Sequence, residues 1–478
     1  MEISKSDFSE WYNAIIKEAE LCDIRYGVKG FVVFMPWSVM SMNKMYDMYE
    51  EELQRKDHIP ALFPALIPES YLTKESEHVE GFVPEAFWVT AAGKNPLEEK
   101  LAMRPTSETA MYSMYSLWIH GLKDLPLKIY QRCQVWRYET KATKPFIRSR
   151  EFYWIEAHDA FATKEGAEAQ VKEDMETTEK ILHQEFCVPF LFFRRPQWDK
   201  FPGAVHTFGA DTLMPDRRTL QLPSTHLLGQ NFAKPFNVKY MDENEKEQYV
   251  WQTCYGPAIS RIYAAVISVH GDEKGLVLPF DIAPVQIVIV PIYKKENEKE
   301  VLKKCKETEK KLSEKYAVKL DDGEETPGAK YNKWEMKGVP IRLEIGMRDI
   351  EKNAVMVFRR DTRKKDSVPF DKLENEIEKI RKDIKKNLIQ KADNWFDGQR
   401  EKADKIEELG KKLETHGFIK IPFCTDELEG KDCAEVVKNE THANIRGHLY
   451  NEKEKPKNKK CIACGKEAKI YLYAARQY

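Results

Sequence analysis

Apolar and polar residues near the start of the chain alternate with the period of a helix. Trp11, Ile15 and Ala19 recur at every fourth position, so they would form one buried stripe. Asp7, followed three residues later by Glu10, is typical of an amino-terminal helix cap. The segment therefore predicts an amphipathic helix, and it lacks the basic and then apolar order of a secretory signal.

A different pattern begins after residue 283. Before this point the chain is rich in aromatic residues, prolines and short strand-like runs. After it, strands and helices alternate over about a hundred residues, which predicts a compact α/β domain. The elements are a buried strand in the longest apolar run, a charged helix, three further strands and a helix: Val285 to Ile292, Lys294 to Tyr316, Ala317 to Leu320, Gly338 to Gly346, Asn353 to Asp361, and from about Leu373.

Two segments near the end of the chain contain fewer apolar residues. Glu374 to Lys412 is long, heavily charged and helical in pattern, which is typical of a solvated helix. Residues 414–478 hold a cysteine cluster and little apolar material, and the run 451–460 is low in complexity. We therefore predict three domains: 1–283, 284–390 and 391–478.

Composition narrows the class of protein. The chain has 478 residues, of which 42% are hydrophobic and 32% are charged, so it can bury a sizeable core. Its 77 basic and 78 acidic residues nearly cancel, so the net charge neither indicates nor excludes nucleic-acid binding. No apolar run approaches the length of a membrane span. Nine cysteines without a secretory leader favour free thiols or metal ligands, and we expect a cytoplasmic protein with no membrane partner.

The segment richest in candidate chemistry is 127–161, which predicts two strands joined by the polar link TKATKP. Strand alternation places Arg137 and Glu139 on one face of the first strand. One face of the second strand combines arginines, aromatics, a glutamate and a histidine: Arg148, Arg150, Phe152, Trp154, Glu156 and His158. Such a face is costly to bury unless it meets a polar ligand, so it predicts a site for phosphates, a base and an ammonium group. The alternative is a solvent-exposed hairpin with salt bridges.

A metal site is predicted near the end of the chain. Cys461 and Cys464 are separated by two residues and followed by a glycine, a spacing typical of a tetrahedral zinc knuckle. Cys424 and Cys433 offer two more thiolates, so we predict a structural zinc site with four cysteine ligands. Scattered buried cysteines are the alternative. The other five cysteines show no ligand spacing: Cys22, Cys133, Cys187, Cys254 and Cys305.

Four segments, in this order, resemble motifs of the prolyl enzymes among class II aminoacyl-tRNA synthetases of the archaeal/eukaryotic type. They are the RPTSE segment 104–108, the Arg-x-Glu of motif 2 at 137–139, PSTHLLGQNFAK at 223–234, and GPAISR at 256–261 in the place of motif 3. The resemblance covers essentially the whole chain. It implies an α+β protein with an antiparallel-sheet catalytic domain, an α/β anticodon-binding domain and a small C-terminal zinc-binding domain.

The resemblance also implies an activity, proline–tRNA ligation, in which ATP and proline form prolyl-adenylate before transfer to tRNA(Pro). Arg137 and Arg261 would be the catalytic arginines. The proline pocket would contain Thr106, Glu108, Arg137, Trp154, Glu156, His158 and His226. ATP and its Mg²⁺ would be held by Arg137, Glu139, Arg148, Phe152, Gln221, Ser224, Ser260 and Arg261.

Further roles implied by the resemblance lie outside the hairpin. The candidate anticodon-reading residues are Tyr331, Trp334, Glu335 and Arg342, for which a solvated basic edge is the alternative. Motif 1, at 58–68, would pair across a two-fold axis in a homodimer. The terminal residue, Tyr478, would reach back toward the active site.

The chain departs from the family pattern in two places. GPAISR replaces the threonine-rich run of motif 3, so only Ser260 and Arg261 match that motif. The stretch between Phe161 and Gln221, 59 residues, is too short for the editing insertion of bacterial-type prolyl enzymes. Three other functions compete: an inactive paralogue, a zinc-bearing RNA-binding protein, and a threonyl enzyme. The threonyl enzyme would need a His/Cys zinc triad in the amino-acid pocket, which the sequence does not indicate.

Overall fold

The computed structural model describes residues 3–78 and 86–478. In the part before residue 283 the helices are α1 Phe8–Glu18, α2 Pro36–Arg55, α3 Glu69–His78, α4 Glu108–Trp118, α5 Lys164–Thr178 and α6 Ile259–His270. The strands are β1 Cys22–Asp23, β2 Val33–Phe34, β3 Ile59–Pro60, β4 Leu66–Pro68, β5 Phe87–Ala92, β6 Asn95–Met103, β7 Leu127–Trp136, β8 Glu151–Phe161, β9 Leu191–Arg194, β10 His206–Leu213, β11 Thr219–Gly229, β12 Lys239–Met241, β13 Glu247–Tyr249 and β14 Trp251–Gly256.

The remaining elements follow in chain order. Between 284 and 397 they are β15 Ile287–Ile292, α7 Glu298–Leu312, β16 Val318–Leu320, α8 Pro327–Met336, β17 Ile341–Gly346, α9 Met347–Glu351, β18 Ala354–Arg359, β19 Lys365–Pro369 and α10 Leu373–Asp397. Beyond them lie β20 Arg400–Lys402, α11 Ile406–Lys412, β21 Phe418–Phe423, α12 Lys431–Thr441, β22 Asn444–Leu449 and β23 Ile470–Ala475.

Helix α1 confirms the first prediction. The side chain of Asp7 accepts a hydrogen bond from the backbone amide of Glu10, which satisfies one of the unpaired donors at the start of the helix. Trp11, Ile15 and Ala19 are fully buried in the largest apolar core of the protein. The cap therefore sets where the helix begins, and the apolar stripe sets which face it buries.

An eleven-stranded sheet organises the molecule, in the order β20-β21-β23-β22-β9-β10-β11-β14-β8-β7-β3. β7 and β8 pair antiparallel along their whole length, as the hairpin pattern predicts. The connection between them is longer than expected, because β7 ends at Trp136 and β8 begins at Glu151. The predicted strand positions of four residues were therefore wrong, because all four lie in this connection: Arg137, Glu139, Arg148 and Arg150.

The region after residue 284 is an α/β unit, as predicted. Its sheet has the order β16-β15-β17-β18-β19, with β15 parallel to both β16 and β17. The prediction of a solvated helix at 374–412 was wrong. The stretch divides into α10, β20 and α11, and α10 buries an apolar face at intervals of three and four residues: Ile377, Ile380, Ile384, Leu388, Ala392 and Phe396.

The C-terminal segment forms a hydrophobic core, which its low apolar content did not predict. It builds a core of its own around residues such as Ile419, Phe423 and Leu472, all fully buried. Strand β22 pairs with β9, so the C-terminal strands extend the central sheet. The cysteine cluster therefore belongs to a packed unit joined to the sheet that carries the hairpin. Over the described ranges, no helix combines the length and the apolar character needed to cross a membrane.

Candidate active site

Arg104 fixes the loop that precedes α4. Its side chain is buried and donates to the backbone oxygens of Gln134 at 2.8 Å and Phe63 at 2.8 Å. The loop is thereby tied to β7, and Thr106 and Glu108 lie beside β8. The sequence motif RPTSE is thus partly explained by structure, because its arginine holds the loop and two later residues face the cleft.

Two buried carboxylates, Glu108 and Glu156, share this cleft. The hydroxyl of Thr106 donates to Glu108 and lies 3.5 Å from Glu156 Oε1. Gln131 Nε2 donates to Glu156 Oε2 at 3.1 Å and to the Ser107 hydroxyl at 2.7 Å. Burial raises the pKa of both carboxyl groups, opposed by hydrogen bonding from Thr106 at Glu108 and by His158 at Glu156. A bound cation would restore their ionised form.

Arg137 crosses the mouth of the cleft. Its guanidinium group lies 5.0 Å from the centre of the Trp154 ring and 5.4 Å from that of Phe152, and its Nε donates to the backbone oxygen of Pro105 at 3.0 Å. The side chain remains exposed to solvent within the cleft. Desolvation by the cleft walls lowers its pKa, opposed by Glu156 and Glu108.

Two more arginines complete a positive cluster. Arg148 donates to Glu139 Oε2 at 2.8 Å, and Arg261 donates to the backbone oxygens of Ile147 and Gln221, each at 3.2 Å. Burial, with repulsion from Arg148 and Arg137, lowers the pKa of Arg261 to about 10. One cleft is lined by six of the eight predicted ATP residues: Arg137, Glu139, Arg148, Phe152, Ser260 and Arg261. Such a cluster suits a polyphosphate, which would relieve the repulsion.

The other two predicted ATP residues border this cleft differently. Gln221 reaches Arg261 through its backbone oxygen, while its side-chain oxygen accepts from Arg195 at 2.9 Å. Ser224 is buried, and its hydroxyl lies 3.0 Å from His226 Nε2. Both are next to the site, but their side chains bond to the protein.

A row of side chains crosses three adjacent strands at the inner end of the cleft. His226, Cys254 and His158 are direct cross-strand neighbours on β11, β14 and β8. His226 uses both ring nitrogens, with Thr207 at 3.0 Å and Ser224 at 3.0 Å, and burial lowers its pKa to about 3. Burial also lowers the pKa of His158. Burial therefore favours the neutral form of both rings.

Three residues of the cleft escaped sequence reasoning. Tyr112 hydrogen-bonds His158 through its hydroxyl, Gln131 holds Glu156, and Cys254 Sγ lies 3.6 Å from Glu108 Oε1. Gln131 lies opposite Glu156 in the β7–β8 register, a pairing that the sequence pattern of two strands does not specify. Tyr112 and Cys254 come from distant elements, and the sequence carries no signal of that contact.

The four predicted metal ligands meet in space. Cys424, Cys433, Cys461 and Cys464 place their sulfur atoms within 4.8 Å of one another. Cys424 and Cys433 are 3.7 Å apart at sulfur. Thiolates about 2.3 Å from a tetrahedral zinc ion lie about 3.8 Å apart, so the cluster fits such an ion.

Comparison with known proteins agrees with this geometry. The model of the class II tRNA synthetase core domain (G, H, P, S and T) matches residues 87–270, and that of the anticodon-binding domain matches 286–380. The model of the prolyl-tRNA synthetase C-terminal domain matches 396–478. The chain belongs to the prolyl-tRNA synthetase family. Its resemblance to that family, inferred from four motifs, is thereby confirmed.

Individual relatives cover this synthetase-family chain from end to end. A proline–tRNA ligase of Thermofilum pendens is 51% identical, over 100% of this chain and 98% of the relative. A solved prolyl-tRNA synthetase of Giardia lamblia, in complex with prolyl-adenylate, superposes with a TM-score of 0.95 at 39% identity over 99% of each chain. A Cryptosporidium parvum prolyl-tRNA synthetase, complexed with halofuginone and AMPPNP, superposes with a TM-score of 0.93 at 35% identity, over 100% of this chain and 99% of that one.

The anticodon-binding domain of this prolyl-tRNA synthetase family member corrects one prediction. The Trp334 ring is buried, its Nε1 donates to Asp321 Oδ2 at 2.7 Å, and it packs against Trp37. It offers no exposed face for stacking on a base, because it packs against α2. Tyr331 remains partly exposed.

Arg342 is also buried. Its guanidinium group lies 3.9 Å from the centre of the Tyr331 ring, and it donates to Glu335 at 2.9 Å and to Glu344 at 3.0 Å. Arg342 therefore positions Tyr331 and Glu335, which are the more accessible members of the predicted set.

The chain's last residue lies where the resemblance implied. Arg148 donates to the backbone oxygen of Tyr478 at 2.8 Å, and the Tyr478 hydroxyl donates to Asp216. The Tyr478 ring is an edge-on neighbour of Phe8 on α1. The carboxy terminus therefore touches one of the arginines of the candidate ATP site.

Proposed function

We propose that this chain is a proline–tRNA ligase, which activates proline with ATP to prolyl-adenylate and transfers the prolyl group to tRNA(Pro). The observation that carries the proposal is the meeting of Arg137, Arg148 and Arg261 beside two buried carboxylates in one cleft. The full-length relatives named proline–tRNA ligase support it, as does the neighbouring structure with bound prolyl-adenylate.

The first step is an in-line displacement at the α-phosphorus of ATP. A carboxylate oxygen of proline forms the new bond to phosphorus, the bond to the bridging oxygen breaks, and diphosphate leaves. The two reactants are both anions, so positive charge and alignment lower the barrier. Arg137 and Arg261, which line the same cleft, would supply that charge, and no covalent enzyme nucleophile is required. In the second step a ribose hydroxyl of the tRNA takes the prolyl group from the adenylate, and AMP leaves.

The proposed proline pocket lies between the carboxylates of Glu108 and Glu156 and the ring of Trp154. The ammonium group would bond to Glu108 and Thr106, with Glu156 nearby, and the carboxylate would face Arg137. The ring would lie against Trp154 and close to His158, with His226 behind it. Gly256 allows Trp154 to occupy this place, since a Cβ there would lie 2.7 Å from the indole.

ATP would extend from Arg137 along Arg148 and Arg261, with its base on Phe152 and beside Ser260. Glu139 and Gln221 offer oxygen atoms beside this cleft as metal ligands, the type that Mg²⁺ prefers, and Ser224 borders them. They would hold the ion, which neutralises phosphate charge when bound. The four C-terminal thiolates would hold a structural Zn²⁺, which cross-links β21, α12 and the turn before β23.

The remaining assignments concern the wider assembly. Tyr331 and Glu335 would contact the anticodon, with Arg342 and Trp334 holding them in place. Ile59 and Leu62 of motif 1 are 63% and 84% exposed, and such apolar side chains favour a homodimer contact. The free thiols favour the cytoplasm. We assign residues 1–283 to catalysis, 284–390 to the anticodon and 391–478 to the zinc-binding domain.

Amino-acid-dependent exchange of diphosphate into ATP, measured with each of the twenty amino acids, tests the proposal. Proline should support exchange at a far higher rate than the others. Exchange with threonine would favour the threonyl alternative. Absence of exchange by a folded, metal-replete protein with every amino acid would favour the inactive paralogue.

A further inference from the structure

Three buried side chains with metal-binding chemistry meet at the inner end of the cleft: Glu108, His158 and Cys254. Cys254 Sγ lies 3.6 Å from Glu108 Oε1 and 4.0 Å from His158 Nε2. All three ligand atoms lie within 4.8 Å of one another. They come from α4, β8 and β14, so the fold itself holds them together.

The spacing suits a tetrahedral ion. Zinc binds thiolate at about 2.3 Å and imidazole or carboxylate at about 2.0 Å, so a sulfur and a nitrogen or oxygen ligand lie about 3.5 Å apart. The separation of Cys254 Sγ from Glu108 Oε1, 3.6 Å, nearly equals that value, and its separation from His158 Nε2, 4.0 Å, is somewhat larger. Small side-chain rotations would therefore close three ligands around an ion and leave its fourth position toward the cleft.

The orientation of His158 is also that of a ligand. The Tyr112 hydroxyl lies 2.9 Å from His158 Nδ1, which leaves Nε2 directed at Cys254. Metal-binding histidines are commonly held by a hydrogen bond at the other ring nitrogen. His226, on β11, differs because hydroxyl groups occupy both of its nitrogens.

We propose that Glu108, His158 and Cys254 bind a thiophilic divalent cation, Zn²⁺ or Cd²⁺, and that the bound cation excludes proline. Binding forms a metal–sulfur bond and releases the thiol proton of Cys254 to solvent, with no change of oxidation state. The cation takes the carboxylate that is assigned to the ammonium group of proline, so this part of the proposal rests on the proposed function. The arginines assigned to ATP stay free, and inhibition should compete with proline and not with ATP.

Direct binding gives the first test. The full chain is equilibrated by dialysis against Zn²⁺ or Cd²⁺, and the metal bound per chain is measured. We expect two ions, one in the C-terminal cluster and one in the cleft, and loss of one ion in Cys254→Ser. Cys133→Ser is the matched control, because Cys133 is buried on the adjacent strand β7 and is not one of the three ligands. It should keep both ions.

A second variant guards against misfolding. His158→Gln should also lose one ion, while its unfolding midpoint and the ion of the C-terminal cluster are retained. In the Cd²⁺-loaded wild type, the ultraviolet thiolate-to-metal band should lose the Cys254 contribution in Cys254→Ser. A single ion in the folded wild type, or two ions in both folded variants, would overturn the proposal.

The exchange assay gives the functional test. Saturating Zn²⁺ should raise the apparent KM for proline at least tenfold and leave that for ATP unchanged, and Cys254→Ser, compared with its own metal-free rate, should lose this response. Inhibition that competes with ATP would overturn the assigned position. If a second ion binds but proline supports no exchange, the metal site stands and the proposed function fails. If proline supports exchange but no second ion binds, the site fails alone.

Discussion

Two groups of arginines lie along the central sheet, and they differ in the groups to which their side chains bond. Arg195 and Arg446 both bond to Asp211, at 2.6 Å and 2.7 Å, and all three are buried. In the cleft, Arg148 bonds to Glu139, whereas Arg137 and Arg261 donate to backbone carbonyl oxygens.

The pKa values follow this difference. Burial alone would raise the pKa of Asp211, but the two arginines lower it below its ordinary value. In the cleft, burial and repulsion lower the pKa of Arg261 to about 10. Arg195 and Arg446 are neutralised by a buried carboxylate and hold the fold. Among the described residues, Arg137 and Arg261 donate hydrogen bonds to backbone oxygens, so their charge is available to a ligand. The first group joins the C-terminal strand β22 to β10, and the second lines the candidate substrate site.

Removing the shared carboxylate should have the largest effect on stability. Asp211→Asn keeps the shape but leaves two buried arginines without a counter-charge, so we expect a loss of about 3–5 kcal/mol in the free energy of unfolding. Denaturant unfolding measures it. Glu247→Gln, which removes an exposed ion pair with Lys239, should leave the midpoint unchanged. A wild-type midpoint for Asp211→Asn would contradict the assigned structural role.

Removing a cleft arginine should have a large effect on activity and a small effect on stability. Arg137→Ala should slow proline-dependent diphosphate exchange by about 10²–10³-fold, because the developing negative charge at phosphorus loses its partner, while the unfolding midpoint changes little. Arg132→Ala is the control, since Arg132 of β7 pairs with Glu50 of α2 and does not line the cleft with Arg137. Exchange at the wild-type rate by folded Arg137→Ala would remove the catalytic assignment.

A change on the carboxylate side of the cleft should alter the KM for proline and not that for ATP. Glu108→Gln should raise the KM for proline about 10–100-fold, because a charged hydrogen bond to the ammonium group is lost, and should leave the KM for ATP nearly unchanged. Glu151→Gln, at the start of β8, is the control and should change neither constant. An equal rise in both constants for Glu108→Gln would place Glu108 elsewhere.

The sequence predicted the parts of the site that local pattern encodes. Strand alternation brought Trp154, Glu156 and His158 to one face, and the order of four motifs indicated the family. The buried face of α10 was not predicted, although its signal is present in the sequence. Ile377, Ile380 and Ile384 recur with helical spacing, but the many charged residues around them favoured a solvated helix.

Contacts between distant elements could not be predicted in this way. Cys254 and Glu108 are far apart in the sequence, and only the packing of α4 on β14 joins them. Trp334 looks the same in sequence whether it faces solvent or the core, so its burial against Trp37 had to come from the structure. The neutralisation of Asp211 has the same origin, since its partners lie on β22 and next to β9.

The smallest expected effect concerns a further ionic contact, in which a histidine takes the place of the arginine. His183 lies between Glu179, at 2.8 Å, and Asp393 of α10, at 2.9 Å. Hydrogen bonding to Glu179, opposed by burial and reinforced by Asp393, raises the pKa of His183 to about 9. A raised pKa stabilises the fold fully below the unfolded value of about 6.5, and this stability is lost as pH rises through about 9.

His183→Gln should therefore cost about 1 kcal/mol at pH 6, a modest value because the side chain is partly exposed, and nothing above pH 9.5. Unfolding free energies of both proteins across this range measure the convergence. Asp393→Asn should remove part of the same pH-dependent difference. A constant difference across the range would mean that His183 stabilises the fold by packing and not by its charge.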